Sequence, residues 1–385
     1  MKILALSIHN LKTPVHGGAR LTLSVLGALS YSHTVLHLGL TGSEVKYDKI
    51  TVKYRRYATS FDQLLIPNRI YFMKSELQLA NSLKMADAVV SLIARIKYDP
   101  EIILCGDRGL FALCKLLSNK LNSKLVMMQD ALRYVFIKNL KTPFAISFYA
   151  MTVLNSDASI AVSQPVAETL RKITLRSRKV FTIIPTFMLL YDNHREESHQ
   201  INTGVDNALL YSGPTELLIP LARAFPQINF VVTGPLAYYT MPLVKSYGLK
   251  NIYLYHNVPD SLLEKINESV TASLIIRNEM TGISITILQS LYFGNPVVAN
   301  PLAIRGYENL IRKHKELIQN VKIFNNLNQL LQLILYSINT NSIIDIKEKI
   351  KTIFDKELSP FVFLSKFNNI ISQLFKRDEN IITSL

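Results

Sequence analysis

Residues 277–300, RNEMTGISITILQSLYFGNPVVAN, leave few folds open to this chain. They follow an apolar run, Thr271 to Ile276, with the length and composition of a strand buried on both faces. After a turn at Thr281-Gly282, the apolar positions Ile283, Ile287, Leu288, Leu291 and Tyr292 recur at helical spacing. Gly294 ends that helix, Pro296 cannot continue it, and Val297-Val298-Ala299 begins another buried strand. Strand, glycine turn, helix, Gly-Pro stop and strand form one unit of a parallel α/β sheet. Such a unit sets a helix N-terminus at the carboxyl end of a strand, where anions and nucleotides bind.

The same alternation runs along the chain. ILALSI after Met1-Lys2 reads as the first buried strand, too short an apolar run for a secretory leader. Leu11 to Ala19, LKTPVHGGA, is a loop ahead of a helical pattern from Ala19 to Leu29. Its pair Gly17-Gly18 serves either a tight strand–helix turn or a close backbone approach to a ligand, with His16 and Arg20 as polar flanks. Strands are expected at Thr34 to Leu38, Ile50 to Tyr54, Glu101 to Cys105, Lys124 to Met128, Ala158 to Ser163 and Val180 to Ile184. A long helix is expected over Glu76 to Lys97. Asp107 and Asp130 fall at carboxyl ends of strands; Asp107 reads as a helix N-cap, while for Asp130 a cap and a site residue are equally good readings.

At 385 residues the chain calls for two domains. The polar run Tyr191 to Asn207 has linker composition, placing an N-terminal Rossmann-like domain at 1–190 and a second domain at 208–358. In the second, strands are expected at Ala208 to Tyr211, Phe230 to Thr233, Ile252 to Tyr255 and Val321 to Phe324. Pro360 is expected to open a last helix within 359–385, with a frayed tail from Lys376.

Composition narrows the function. Cys105 and Cys114 form neither a disulfide framework nor a metal pattern, so a reducing cytoplasm is the expected compartment. The net charge of +15 favours anionic partners. The Lys and Arg residues are dispersed and no DNA- or RNA-binding motif stands out, which speaks against nucleic acid. Arg133 to Asn155 mixes Lys and Arg with Phe and Tyr. It reads first as a core-packed helix broken near Pro143, with contact to an anionic membrane surface as the alternative.

Thr281-Gly282-Ile283-Ser284, followed by Gly294-Asn295-Pro296-Val297-Val298, resembles the donor-site signature of the retaining GT-B glycosyltransferases of the group 1 type. The resemblance extends, loop by loop, over nearly the whole chain. It implies an α/β protein of two doubly wound, Rossmann-like domains facing each other across a cleft, with the last helix crossing back to the first domain. The family's two glutamates, eight positions apart, fall here on Thr281 and Gln289. Its P-x-x-G-G loop falls on Pro14 to Gly18, implying that Gly17 and Gly18 face the donor phosphates and that His16 and Asp130 stand on the acceptor side. Gln129 replaces the family's His before Asp130.

The family's Arg and Lys after the Ser212-Gly213 turn are absent from Thr215 to Leu218, leaving Arg277 as the basic residue nearest to hand. By resemblance the donor site would comprise Gly213, Arg277, Glu279, Thr281, Gly282, Ile283, Ser284, Gln289 and Glu308. Glu279, Gln289 and Glu308 would serve sugar or ribose hydroxyls. No catalytic residue is assigned. The implied activity is hexosyltransferase-like: transfer from a nucleotide-sugar co-substrate to a glycan, lipid or protein acceptor with retained configuration, without metal or further cofactor. The setting is cytoplasmic, with an anionic membrane surface as a candidate partner. The absent glutamates keep a non-catalytic GT-B-fold binding or partner protein open. A sugar-nucleotide epimerase and a nucleic-acid-binding protein are the remaining alternatives.

Overall fold

The computed structural model describes residues 1–14, 17–42, 44–67, 76–130, 142–175, 177–191, 207–278, 282–339 and 343–382. The chain divides into two compact units, one of Met1–Pro14, Gly18–Leu190 and Pro360–Leu385, the other of Val15–Gly17 and Tyr191–Ser359.

In the first unit the buried ILALS run forms β1 (Lys2–Ser7), and α1 (Gly17–Leu29) follows. Next come β2 (Thr34–Gly42), β3 (Lys46–Tyr54), β4 (Tyr57–Pro67), α2 (Glu76–Arg95), β5 (Ile102–Cys105), α3 (Phe111–Leu121) and β6 (Lys124–Gln129). The series ends with α4 (Thr142–Leu154), β7 (Ala158–Ala161), α5 (Gln164–Thr174), β8 (Val180–Thr182) and β9 (Leu189–Leu190). Among the described residues these strands make a nine-stranded sheet in the order β8-β7-β6-β5-β1-β2-β4-β3-β9. All pairings are parallel except those of β3 with β4 and β9. β1 leads to β2 on one side, and the chain then returns to pair β5 on the other, so a topological switch lies between β1 and β5.

The second unit carries β10 (Ala208–Ser212), α6 (Thr215–Ala224), β11 (Asn229–Thr233), α7 (Pro235–Tyr247), β12 (Ile252–Tyr255), α8 (Asp260–Ser269) and β13 (Ala272–Ile275). It continues with α9 (Ile285–Phe293), β14 (Val297–Ala299), α10 (Glu308–Lys313), α11 (Lys315–Asn320), β15 (Val321–Ile323), α12 (Leu327–Asn339) and α13 (Ile343–Leu358). Its sheet is parallel throughout, in the order β12-β11-β10-β13-β14-β15, and its switch lies between β10 and β13. The last helix, α14 (Pro360–Ile382), belongs to the first unit, where Phe361 meets the Tyr31 ring at 5.2 Å and His33 bonds Asn368 at 2.7 Å.

Several local expectations needed correction. The strand expected at Ile50 to Tyr54 starts at Lys46 and is half of a hairpin whose other strand, β4, was not foreseen. The hairpin turns at Arg55-Arg56 with Arg55 at φ 54, without the Gly or Asn that marks such turns in a sequence. Pro143 does not break a helix within the described residues. It stands in the first turn of α4, where a missing N–H costs nothing. The tail expected to fray from Lys376 continues α14 to Ile382. Residues 192–206 of the linker expected at 191–207, and residues 133–141 of the basic-aromatic segment, lie outside the described residues.

Candidate functional site

The switch point of the second unit collects its polar groups at the carboxyl ends of β10, β13 and β14. β13 ends at Ile275, and the N–H of Ile276 donates to the Ser212 carbonyl at 2.8 Å, which sets the two strand ends side by side. One residue on, Asn300 at the end of β14 holds Arg277 by its backbone. Asn300 Nδ2 donates to the Arg277 carbonyl at 2.8 Å, and Asn300 Oδ1 accepts from the Arg277 N–H at 3.1 Å. The side chain of Arg277 is thereby launched toward the head of α9. Its guanidinium donates to Ser284 Oγ and to Thr286 Oγ1, each at 3.3 Å. Thr286 Oγ1 also lies 3.4 Å from Ser212 Oγ.

No carboxylate among the described residues pairs with Arg277. Burial pushes its guanidinium below the ordinary value, opposed only by the phenols of Tyr211 and Tyr307. A half-buried cation held, among the described residues, by hydroxyls alone can take an anion as its partner. The head of α9 points the same way. Ser284 is the N-cap residue, yet its hydroxyl serves Arg277 and makes no bond to the helix amides. Tyr307, fully buried, donates from its phenol to the Ser284 carbonyl at 3.0 Å and so pins the cap. First-turn amides without a side-chain cap, beside a cation and three hydroxyls, can receive an anion.

Gly213 lies beside this group. A Cβ there would stand 2.8 Å from the Tyr211 hydroxyl and 3.0 Å from Ile276 Cβ. The Tyr211 hydroxyl is itself fixed by donating to the Pro214 carbonyl at 2.6 Å. Glycine is therefore required by close packing of β10 against the residue after β13. At the other end of α9, Gly294 has φ 73 and its amide closes the helix on Leu291 and Ser290, the stop expected for it.

The remaining expected site residues scatter. Gly282, Ile283 and Ser284 lead directly into α9, which begins two residues later than expected. Gln289 faces α8, where its Nε2 donates to Asn267 Oδ1 at 3.2 Å. Glu308 folds back on its own loop, its carboxylate accepting from the Gly306 N–H at 2.6 Å. Glu279, Thr281 and His16 lie outside the described residues. Gly17 and Gly18 form the first two residues of α1.

In the first unit, Asp130 follows β6 and borders a recess at the switch between β1 and β5. Leu6, Thr22, Leu104, Gly106 and Met128 line the recess with it. Asp107 caps a short helical turn by accepting from the Gly109 N–H at 2.7 Å, as read from the sequence. Gln129 is buried and donates to Thr152 Oγ1 at 3.2 Å, a packing role in place of the family's His. Among the described residues no group of three or more His, Cys, Asp and Glu side chains gathers, and no helix is long and apolar enough to cross a membrane.

Sequence reasoning missed Asn300, Tyr307, Ser212 and Thr286. The first could have been found, since Asn300 ends a buried strand just as Asp130 does. The others are hydroxyls whose role depends on contacts between distant segments.

No protein-family model and no curated protein sequence matches the chain. Solved structures do match it over nearly its full length. Sucrose-phosphate synthase from Thermosynechococcus elongatus aligns with a TM-score of 0.68 at 13% identity, covering 98% of this chain and 99% of that one. HepE from Anabaena, solved with UDP and glucose, aligns with a TM-score of 0.66 at 13% identity, covering 97% and 99%. The fold is GT-B. A glycosyltransferase from Rickettsia africae ESF-5 shares it with a TM-score of 0.66 at 15% identity, covering 97% and 98%. The GT-B framework, two switch-point sheets each with its own core, is thus present at identities that show the fold alone.

Proposed function

We propose that this GT-B protein is a glycosyltransferase that takes a sugar from a nucleotide-sugar donor, with the donor diphosphate seated at the head of α9. The observation that carries the reading is Arg277, a half-buried guanidinium with hydroxyl partners and, among the described residues, no carboxylate, at the switch point of the second sheet. The UDP, UDP-glucose and glucose complexes of HepE add to its support by fold analogy. When the bond between the anomeric carbon and the diphosphate oxygen breaks, its electron pair leaves with the diphosphate. Arg277, the hydroxyls of Ser212, Ser284 and Thr286, and the first-turn amides of α9 meet that charge. The acceptor oxygen forms the new bond to the anomeric carbon as its hydroxyl proton passes to the departing diphosphate oxygen. We place the acceptor with Asp130 and transfer with retained configuration, as the family resemblance implies.

A second reading, a GT-B protein that binds a nucleotide without transferring a sugar, draws on Gln289. The family's carboxylate at this position is a neutral amide here, and that amide bonds Asn267. One experiment separates the two. Wild type and Arg277→Ala are screened by thermal shift against UDP, GDP and ADP and their glucose conjugates, and the best ligand is then followed for sugar release. A diphosphate that raises the Tm of wild type but not of Arg277→Ala supports the site. Release or transfer of the sugar supports the transferase, and binding without release supports the non-catalytic protein. A folded wild type that responds to no diphosphate rejects both.

A further inference from the structure

The outward side of α7 is rich in apolar residues, with Lys245 and Ser246 exposed among them. Tyr238 is 61% exposed, Tyr239 70%, Leu243 41% and Tyr247 47%, and Met241 is exposed beside them. Tyr239, Leu243 and Tyr247 recur every four residues, so they form one stripe along the helix. Ala237, Thr240 and Val244, about a quarter turn round the helix from that stripe, are buried against the second unit. Single exposed apolar residues need no explanation, but a continuous stripe marks a contact surface.

The charges around the stripe are nearly all positive. Lys245 is the one ionic residue of α7, and Lys250 follows it, both exposed. Arg223, in the last turn of the neighbouring α6, lies over the Tyr247 ring with its guanidinium carbon 4.5 Å from the centroid. The one carboxylate on α6, Glu216, stands in its first turn. Tyrosine, with an apolar ring and a polar tip, suits the boundary between lipid and water. A convex helix of 13 residues, about 20 Å long, matches a flat surface.

We propose that this face of α7 rests in the interfacial layer of an anionic bilayer. Tyr238, Tyr239 and Leu243 enter the layer, while Lys245 at the edge of this face, with Lys250 and Arg223, meets the headgroups. The chain's charge of +15 draws it to the surface from a distance. The surface is distinct from the basic-aromatic segment singled out in the sequence and does not rest on the donor-site reading.

The test is flotation of the full-length protein with phosphatidylcholine vesicles containing phosphatidylglycerol, and with phosphatidylcholine vesicles alone, at low and high salt. Wild type is expected to float with the anionic vesicles only and to be released by salt. Tyr239→Ser/Leu243→Ser, with a Tm near wild type, is expected to partition at least about tenfold less. Lys245→Glu/Lys250→Glu is expected to lose binding to a similar degree, and it alone decides the matter should the apolar pair fail to fold. Three results would each overturn the proposal: no flotation of wild type at low salt, flotation of both folded variants equal to wild type, or a wild-type dimer that the Tyr239→Ser/Leu243→Ser change dissolves.

Discussion

Asn300 grips the backbone of Arg277 from both sides, donating to its carbonyl at 2.8 Å and accepting from its N–H at 3.1 Å. The same Oδ1 also accepts from the Ala303 N–H at 3.2 Å, so one amide aligns a cation and starts the following turn. Asn300→Ala removes three such bonds at a net cost of about 0.5–1.5 kcal/mol each. The expected result is a Tm several degrees lower together with weaker diphosphate binding. Asn300→Asp keeps the acceptor, loses the donor and sets a negative charge beside the site. It should therefore depress binding more than it depresses Tm, as calorimetric titration beside a melting curve would show.

Arg277→Met keeps the apolar stem and removes the charge. Because burial already disfavours the guanidinium, the ligand-free Tm is expected to stay level or rise. Affinity for a nucleoside diphosphate should fall by about 1.5–3 kcal/mol, on the order of tenfold or more. Arg277→Lys should lie between the two, since an ammonium keeps the charge but lacks the planar fork that grips an anion with two parallel bonds. A Tm that dropped sharply in Arg277→Met without ligand would make this a structural arginine.

Gly213→Ala places a methyl 2.8 Å from the Tyr211 hydroxyl, on a buried ring that cannot swing aside. Overpacking of this kind costs about 1–3 kcal/mol. Tyr211→Phe in the same chain removes the nearest clashing atom and should return part of the loss. Denaturant midpoints of the two single variants and the double variant measure that coupling.

Gln289→Glu restores the family residue but sets a carboxylate oxygen against Asn267 Oδ1. Asn267 cannot readily turn its amide, because its Nδ2 is held by the Leu263 carbonyl at 2.7 Å. A lower Tm and no gain in nucleotide affinity are expected. A tighter diphosphate complex in this variant would instead identify a decayed donor site.

His37 is buried in β2 between Ser7 Oγ, 2.8 Å from Nε2, and Gln63 Oε1, 3.2 Å from Nδ1. Burial pushes its pKa down from 6.5 to about 3, with His9 acting in the same direction and the Gln63 bond opposing. The unfolded chain therefore binds a proton below pH 6.5 that the folded chain refuses until about pH 3. This contribution to stability is complete above pH 6.5 and is lost progressively as the pH falls toward 3. Tm measured against pH should decline more steeply in wild type than in His37→Gln. Equal slopes would assign the acid loss to other groups.

What could be read from the sequence was local. Apolar runs of strand length, helical spacing from Ile283 to Tyr292 and a glycine at Gly294 are set by neighbours within a few residues. They sufficed to expect two parallel α/β sheets and the position of α9. The β3–β4 hairpin escaped because Arg55 takes a left-handed conformation in a turn with no glycine to announce it. The tertiary structure alone decided how the donor-site residues meet. Arg277 and Asn300 are 23 positions apart and become partners because β13 and β14 pair in parallel, aligning Ile275 with Ala299. Spacing places Gln289 on a face of α9, but the packing of α8 determines that its amide meets Asn267. Side-chain hydrogen bonds depend on distance and angle between separate elements, and only the folded sheet sets those.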